Sequence, residues 1–199
     1  MPKVLILFAH PRLERSKINK LLIQSIPESP QVTFHDLYER YPGFNIDVEH
    51  EQQLLLSHDV FVWHHPFYWY SAPPLLKQWI DMVLELGWAY GPGGTALEGK
   101  WVFSAITTGG TREAYSAKGH NRFTIHELLS PFNQTAHLCR MQYLPPFVVQ
   151  GTHRLNDTQL REAAGQYKSL LERLAAGSIH PYDLKSVEFL NELPHEGKD

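Results

Sequence analysis

The sequence predicts an open α/β domain, a parallel sheet wound with helices on both faces. Three observations lead there. Five short apolar runs, rich in β-branched and aromatic residues, alternate with stretches whose apolar residues recur at helical spacing. The runs carry few polar interruptions, which suits strands covered on both faces. The length, 199 residues, fits one domain or one domain with a tail, and is enough to bury a core without a disulfide or structural metal.

The elements follow in order. The first run, Val4 to Ala9, leads through a polar loop to Ile18, Leu21, Leu22 and Ile26 at helical spacing, with Ser16 placed as N-cap. The second run is Val32 to His35. Val48 to Ser57 reads as a short helix before the third run, Val60 to His64. Pro73 and Pro74 then open a helix whose Leu75, Leu76, Trp79, Ile80, Val83 and Leu84 form a broad apolar stripe. Trp101 to Thr107 is the fourth run. Phe123 to Met141 is helical but interrupted at Ser130-Pro131, where proline suits the first position of a second helix. The fifth run is Tyr143 to Gln150, and Asp157 to Ala175 is the last helix, opened by Asn156 or Asp157 and closed by Gly177. The domain is therefore expected at 1–177. Residues 178–199 are polar, with Val187, Phe189, Leu190 and Leu193 as an anchor, and read as a tail that docks loosely or serves a partner.

Composition excludes several classes. Lys plus Arg number 18 and Asp plus Glu 21, a net charge of −3. No general positive field recruits phosphates, so neither nucleic acid nor anionic lipid is an expected partner. The apolar runs fall far short of the roughly 18 to 20 residues that span a bilayer. Cys139 is the single cysteine and nothing resembles a signal peptide, which together point to a reducing, cytoplasmic setting. The conspicuous excess is in five Trp, nine Tyr, ten Phe and 12 His.

Ligands of open α/β sheets bind beyond the carboxyl ends of the strands, near the switch in strand order. Three loops leave those ends with unusual sequences. His10 to Asn19 joins the first strand to the first helix, where free N–H groups and the helix dipole favour an anion, and Arg12, Arg15, Lys17 and Lys20 add positive charge. It has neither G-x-G-x-x-G nor a P-loop, which argues against a Rossmann dinucleotide site or an ATPase. The plain alternative is a capped helix with a solvated basic rim. His65 to Pro74 holds four consecutive aromatics, Phe67, Tyr68, Trp69 and Tyr70, stiffened by two prolines. Loops expose their side chains, so this one suits the face of a planar ligand; a hydrophobic dimer patch is the alternative. Thr107, Thr108, Gly109 and Gly110 combine hydroxyls with room for a close approach of backbone to ligand, and Tyr115 and His120 follow as proton donors. By itself that stretch also reads as a flexible turn.

Metal chemistry is the rival that 12 histidines invite. His64 and His65 are consecutive in a strand and so point to opposite faces. There is no H-E-x-x-H, no second cysteine and no G-x-S-x-G nucleophile elbow. No metal is expected. His58, His126 and His137 read as ordinary surface or partly buried helical residues.

An anion loop, an aromatic wall and a Thr-Gly turn after strands one, three and four together suit one flavin mononucleotide. With Ala9-His10-Pro11, Trp69-Tyr70-Ser71-Ala72-Pro73, Leu76-Lys77-x-Trp79 and Thr107-Thr108-Gly109-Gly110, the chain resembles the flavodoxin-like NAD(P)H:quinone oxidoreductases over about residues 3–176. Tyr41-Pro-x-Phe-Asn-Ile-Asp47 and Trp88-Ala-Tyr-Gly-Pro-Gly-Gly94 have counterparts in the branch that includes the ancillary proteins of glutathione-gated potassium efflux systems.

The resemblance implies a five-stranded parallel sheet in the order 2-1-3-4-5. It implies that His10, Ser16, Lys17, Ile18 and Asn19 hold the phosphate and ribityl chain of FMN, with FAD the alternative cofactor. Phe67, Tyr68, Trp69 and Tyr70 would border the isoalloxazine, and Thr107, Thr108, Gly109 and Gly110 its pyrimidine side. Tyr115 matches the family tyrosine near N1 and O2; His120 matches the partner histidine after a small change of spacing. Tyr68 stands where many relatives have glutamine. The implied reaction is ping-pong: hydride from NAD(P)H, then two electrons to a quinone, with Tyr115 and His120 meeting the negative charge of the reduced flavin. From the residues themselves, Arg112, Lys118 and Arg122 are expected to flank the same mouth and attract nicotinamide-cofactor phosphates; a solvated basic rim is the alternative. The family's site lies at a homodimer interface, and the apolar stripe through Trp79 with the Gly-rich 87–94 loop suits a dimer. The competing readings are a regulatory module docked on the cytosolic face of a potassium efflux transporter, peripheral to the membrane through that partner, and a metal-dependent hydrolase.

Overall fold

The computed structural model describes residues 1–179, Leu184 and 187–193. Its sheet consists of β1 (Val4–Phe8), β2 (Val32–Asp36), β3 (Val60–Pro66), β4 (Trp101–Thr107) and two further short strands, β5 (Gln142–Tyr143) and β6 (Phe147–Val149). Every pairing is parallel, in the order β2-β1-β3-β4-β5, with β6 also on β4. The order 2-1-3-4-5 is therefore observed. The fifth run is not one strand, because Pro145 and Pro146 have no N–H for the ladder. Leu144 still donates to Val102 O at 2.8 Å, and pairing resumes where Phe147 meets Ala105.

The helices are α1 (Lys17–Gln24), α2 (Leu37–Arg40), α3 (Val48–Leu56), α4 (Pro74–Val83), α5 (Ile125–Leu128), α6 (Ser130–Leu138) and α7 (Asp157–Ala176). Side-chain alternation along β1 sorts them. Leu5 and Leu7 pack with α3, α4 and α6, while Val4 and Ile6 pack with α1 and α7. Both faces are thus covered, as fully buried strands require. α2 has no forecast in the sequence reading; Asp36 caps it by accepting the N–H groups of Tyr38 and Glu39 at 2.9 and 3.2 Å. Among the described residues no helix is long and apolar enough to cross a membrane.

Two expectations change. The α4 stripe is consumed inside the protein: Leu75, Leu76, Trp79, Ile80 and Val83 are all buried against the sheet, so it supplies no dimer surface. Trp79 Nε1 instead donates to Glu51 Oε2 at 2.7 Å. Glu51, on α3, is fully buried and also meets Tyr41 Oη at 2.6 Å and His35 Nε2 at 2.8 Å. Burial alone raises a carboxyl pKa, but the hydrogen bonds from His35, Tyr41 and Trp79 outweigh it and hold Glu51 below the usual carboxylate range. The second change is His58, which lies just after α3 as a buried structural link, its Nδ1 2.7 Å from Leu54 O and its Nε2 2.8 Å from Thr33 Oγ1.

Within the expected tail, residues 180–183, 185–186 and 194–199 lie outside the described residues. Phe189, Leu190 and Leu193 are buried in the two cores. Leu190 N donates to Pro146 O at 3.0 Å, and Asn191 Oδ1 accepts from Val148 N at 2.8 Å. The second bond satisfies an N–H of β6, which would otherwise be an exposed strand edge.

Candidate active site

The carboxyl ends of β1, β3, β4 and β6 meet in one depression with three lobes, of about 420, 340 and 440 Å³, and Phe67 lines all three. The sequence predicted three of its loops. It missed the fourth, after β6, which adds Thr152 and His153. The only local hint was Gly151, whose φ of +66° turns the chain back over the site.

The 420 Å³ lobe is the anion end. His10, Ser16, Lys17, Ile18 and Asn19 from the expected phosphate and ribityl set line it with Arg12 and Arg15, and so do Phe67 and Tyr68; Thr107 and Gly109, which the resemblance put on the pyrimidine side, line this lobe instead. Ser16 caps α1 by accepting the Asn19 N–H at 3.3 Å. The amides at the start of α1 have no intrahelical acceptor and suit an anion, as does the helix dipole. His10 is buried, which lowers its pKa, and its Nδ1 accepts the Arg12 N–H at 3.1 Å. Its proton in the neutral form is therefore on Nε2. Lys17 lines the lobe but pairs its ammonium with Asp157 on α7, both largely exposed. A Cβ on Gly109 would stand 3.2 Å from the His153 ring, so the two pack closely here.

The aromatic stretch is a tight turn from Tyr68 to Ser71, closed by Ser71 N to Tyr68 O at 3.0 Å. Its central residues, Trp69 and Tyr70, sit at φ +49° and +62°. Both central residues at positive φ is the pattern of a type I′ turn, normally filled by Asn or Gly. Two bulky aromatics there are strained, and strain of this kind concentrates at functional sites. Trp69 is 92% exposed. Phe67, by contrast, is buried and anchors the loop, its N–H donating to Thr107 O at 2.9 Å.

The 340 Å³ lobe brings Trp69, Tyr70, Gly110, Tyr115 and His120 together with Ala114 and Asn121, two residues the sequence reading did not single out. Tyr70 Oη donates to Asn121 Oδ1 at 3.2 Å, tying the aromatic turn to the 111–122 loop. Tyr115 packs its ring 6.1 Å from that of Phe67, and burial raises its phenol pKa against a smaller opposing effect of Thr108. Gly110 makes that packing possible, since a Cβ would stand 2.9 Å from Tyr115 Cε2. Thr108 lines none of these lobes: its N–H donates to Val149 O at 2.9 Å and its hydroxyl to Gly110 O at 2.7 Å. It holds the turn in shape.

One expected cation is not at liberty. Arg112 forms ion pairs with Glu188 and Glu192 and stands 5.1 Å over the Phe189 ring. These contacts engage its charge with the tail, which removes it from the proposed phosphate-attracting trio. His126 stacks on the same Phe189 ring at 5.6 Å. His64 and His65 do diverge, His64 toward Tyr167 and His65 toward Phe132. Burial pushes their pKa values down to about 3 and about 4. Among the described residues no group of three His, Cys, Asp or Glu side chains is placed to hold a metal.

The profile of the flavodoxin-like fold family matches residues 2–171. A curated relative from Pectobacterium atrosepticum, the glutathione-regulated potassium-efflux system ancillary protein KefG, is 48% identical over 166 residues, 83% of this chain and 91% of its own. Among solved structures, general stress protein 14 from Treponema denticola, in complex with FMN, is 39% identical with a TM-score of 0.83, covering 87% of this chain and 99% of its own. An NADPH-quinone reductase from P. pentosaceus is 36% identical with a TM-score of 0.77, covering 84% of this chain and 96% of its own.

Proposed function

The chain belongs to the flavodoxin-like fold family, and from that premise we propose that it is an FMN-dependent NAD(P)H oxidoreductase that reduces quinones or related electrophiles. The observation that carries this reading is a donor-rich anion end that opens directly onto a lobe walled by strained, exposed aromatics. A flavin mononucleotide needs both halves: donors for its phosphate and flat apolar surface for its ring system. The residues fit it. Ser16, Thr107 and His10 offer hydroxyl or imidazole donors in one lobe, while Gly109 and Gly110 line the lobes without a side chain, leaving backbone open to a ligand. The FMN-bound neighbour and the NADPH-quinone reductase neighbour support the same cofactor and reaction.

FMN supplies the capacity to take a hydride from NAD(P)H and to deliver two electrons to a quinone. The chain's own groups do the rest. Ser16 and the start of α1, with Lys17 and Ile18, would hold the phosphate, and Asn19 would orient the Ser16 hydroxyl toward it. Phe67, Tyr68, Trp69 and Tyr70 bound the space where reactants alternate and exclude water from it. Tyr115 keeps its proton because burial raises its pKa, so it presents an O–H donor to developing negative charge. His120, exposed at the mouth, exchanges protons with solvent. The domain at 1–177 carries the chemistry, and the Val187–Leu193 stretch of the 178–199 tail straps the 111–122 loop. A cytoplasmic setting fits this redox role. Initial rates against NADPH at several quinone concentrations should give parallel reciprocal lines; intersecting lines would rule out the ping-pong order.

The KefG name of a 48% identical relative favours a second role, as an ancillary subunit on the cytosolic face of a potassium efflux transporter. Co-purification with such a transporter that survives loss of flavin binding would support it. A homodimer is part of the proposal, on the strength of Leu86, which is 68% exposed. Sedimentation as a monomer at micromolar concentration would contradict it.

A further inference from the structure

A buried chain of hydrogen bonds runs from α7 to the anion end. Tyr167 Oη lies 3.1 Å from His64 Nδ1, and His64 Nε2 lies 3.2 Å from Asn19 Oδ1. Asn19 Nδ2 donates to Ser16 Oγ at 2.8 Å and to Thr107 Oγ1 at 3.0 Å. Tyr167, His64 and Asn19 are at most 1% exposed. Such a chain has two settings, because an imidazole has two tautomers and an amide two orientations. In one setting the Asn19 amino group faces the hydroxyls, which accept and turn their protons elsewhere. In the other the amide is reversed, the hydroxyls donate to its oxygen, and they show only lone pairs to the cleft.

Tyr167 decides between them. Its ring lies 5.1 Å from that of Phe147 in an aliphatic core, and among the described residues His64 Nδ1 is the one hydrogen-bond partner of its hydroxyl. A buried phenol proton without an acceptor is costly, so Tyr167 donates and Nδ1 accepts. Burial keeps the His64 ring neutral, its pKa pushed to about 3, so its proton is on Nε2 and goes to Asn19 Oδ1. The Asn19 amino group must then face the hydroxyls. Ser16 Oγ already accepts both the backbone and side-chain N–H of Asn19, so its remaining capacity is its own proton. Among the described residues neither that proton nor the Thr107 proton has an acceptor. Ser16 and Thr107 both line the cleft.

We infer that Tyr167 and His64 are positioning residues that set the polarity of Ser16 and Thr107, so that this end of the cleft offers donors and selects a phosphate monoester. The inference rests on the FMN reading and deepens it, adding a reason why the phosphate, rather than the ring alone, is recognised.

Two measurements test it. Long-range ¹H–¹⁵N spectra of the purified protein, with and without FMN, should show His64 as the Nε2–H tautomer; the Nδ1–H tautomer would overturn the inference. The second is the ratio of FMN to riboflavin affinity, since riboflavin carries the ring without the phosphate. Thr107→Val should lower that ratio about tenfold, the worth of one charge-assisted hydrogen bond. Tyr167→Phe removes the hydrogen bond that favours the Nε2–H tautomer, so the Nδ1–H form should become detectable and the ratio should fall, by at most about twofold. Unchanged ratios, or equal losses for both flavins as a merely structural role would give, overturn it. Should Tyr167→Phe fail to fold, the native tautomer and Thr107→Val still decide. A native protein that binds neither flavin defeats the functional reading, whereas the tautomer still judges the relay separately.

Discussion

Replacing Trp69 by Asn should make the protein more stable and less active. Trp69 holds φ +49° in the Tyr68–Ser71 turn and is 92% exposed. Left-handed backbone costs a typical L-residue about 1–2 kcal/mol, and Asn tolerates it better than most. With almost no buried area to lose, the substitution should recover about 0.5–1 kcal/mol, or roughly 1–4 °C in Tm for a chain of this size. The functional effect has the opposite sign. A reactant covering about 100 Å² of the indole gains about 2.5 kcal/mol from it, so kcat/KM for NADPH or quinone should fall by one to two orders of magnitude. Thermal unfolding and steady-state kinetics read the two effects separately, and Trp69→Phe, which keeps an aromatic in the same backbone state, should retain most of the activity with no gain in Tm. A lower Tm for Trp69→Asn would refute the strain argument; if that loss also grows with dilution, Trp69 is packed in a dimer. Unchanged kinetics would refute its role beside the ligand.

Three further outcomes follow from the same geometry. Burial holds His64 near pKa 3 and His65 near 4, below an unfolded value of about 6.5, so their neutral forms stabilise the fold fully above pH 6.5. That contribution is lost as pH falls, at up to about 1.4 kcal/mol per pH unit for each ring. His65→Phe, which keeps a ring against Phe132 and removes an Nε2 that has no partner among the described residues, should lessen the loss in urea melts between pH 6.5 and 4.5; an unchanged slope would contradict it. Gly110→Ala sets a Cβ 2.9 Å from Tyr115 Cε2 and should lower kcat by displacing that phenol, with FMN affinity much less affected; an unaltered kcat would remove Tyr115 from the reacting centre. Neutralising Lys118 and Arg122 together should raise KM for NADPH and flatten its salt dependence, whereas neutralising Arg112 should chiefly loosen the tail, seen as faster proteolysis after residue 177.

Local physics was legible and distant partnership was not. The apolar runs marked β1 to β4, Ser16 marked the start of α1, and Pro73-Pro74 marked that of α4, because each rests on residues a few positions apart. The alternation of strand side chains also separated His64 from His65 in advance. The Pro145-Pro146 break was visible in the letters, yet the surrounding apolar run concealed it. What the sequence withheld are pairings such as Asn19 with Thr107, 88 residues apart, and Arg112 with Glu188, 76 apart. The same holds for Glu51, whose spacing gives no sign that Tyr41, His35 and Trp79 will surround its carboxylate. Thr152 and His153 were missed because an ordinary Gly-Thr-His-Arg stretch reads as a turn until the fourth strand end is placed beside the other three.

The absorbance of the purified, FMN-reconstituted protein under anaerobic NADPH reads the flavin chemistry itself. A bound flavin band near one per chain, bleached by NADPH and restored by stoichiometric quinone, is the expected result. A chain that retains no flavin after reconstitution, or a flavin band that NADPH leaves unbleached, would contradict it.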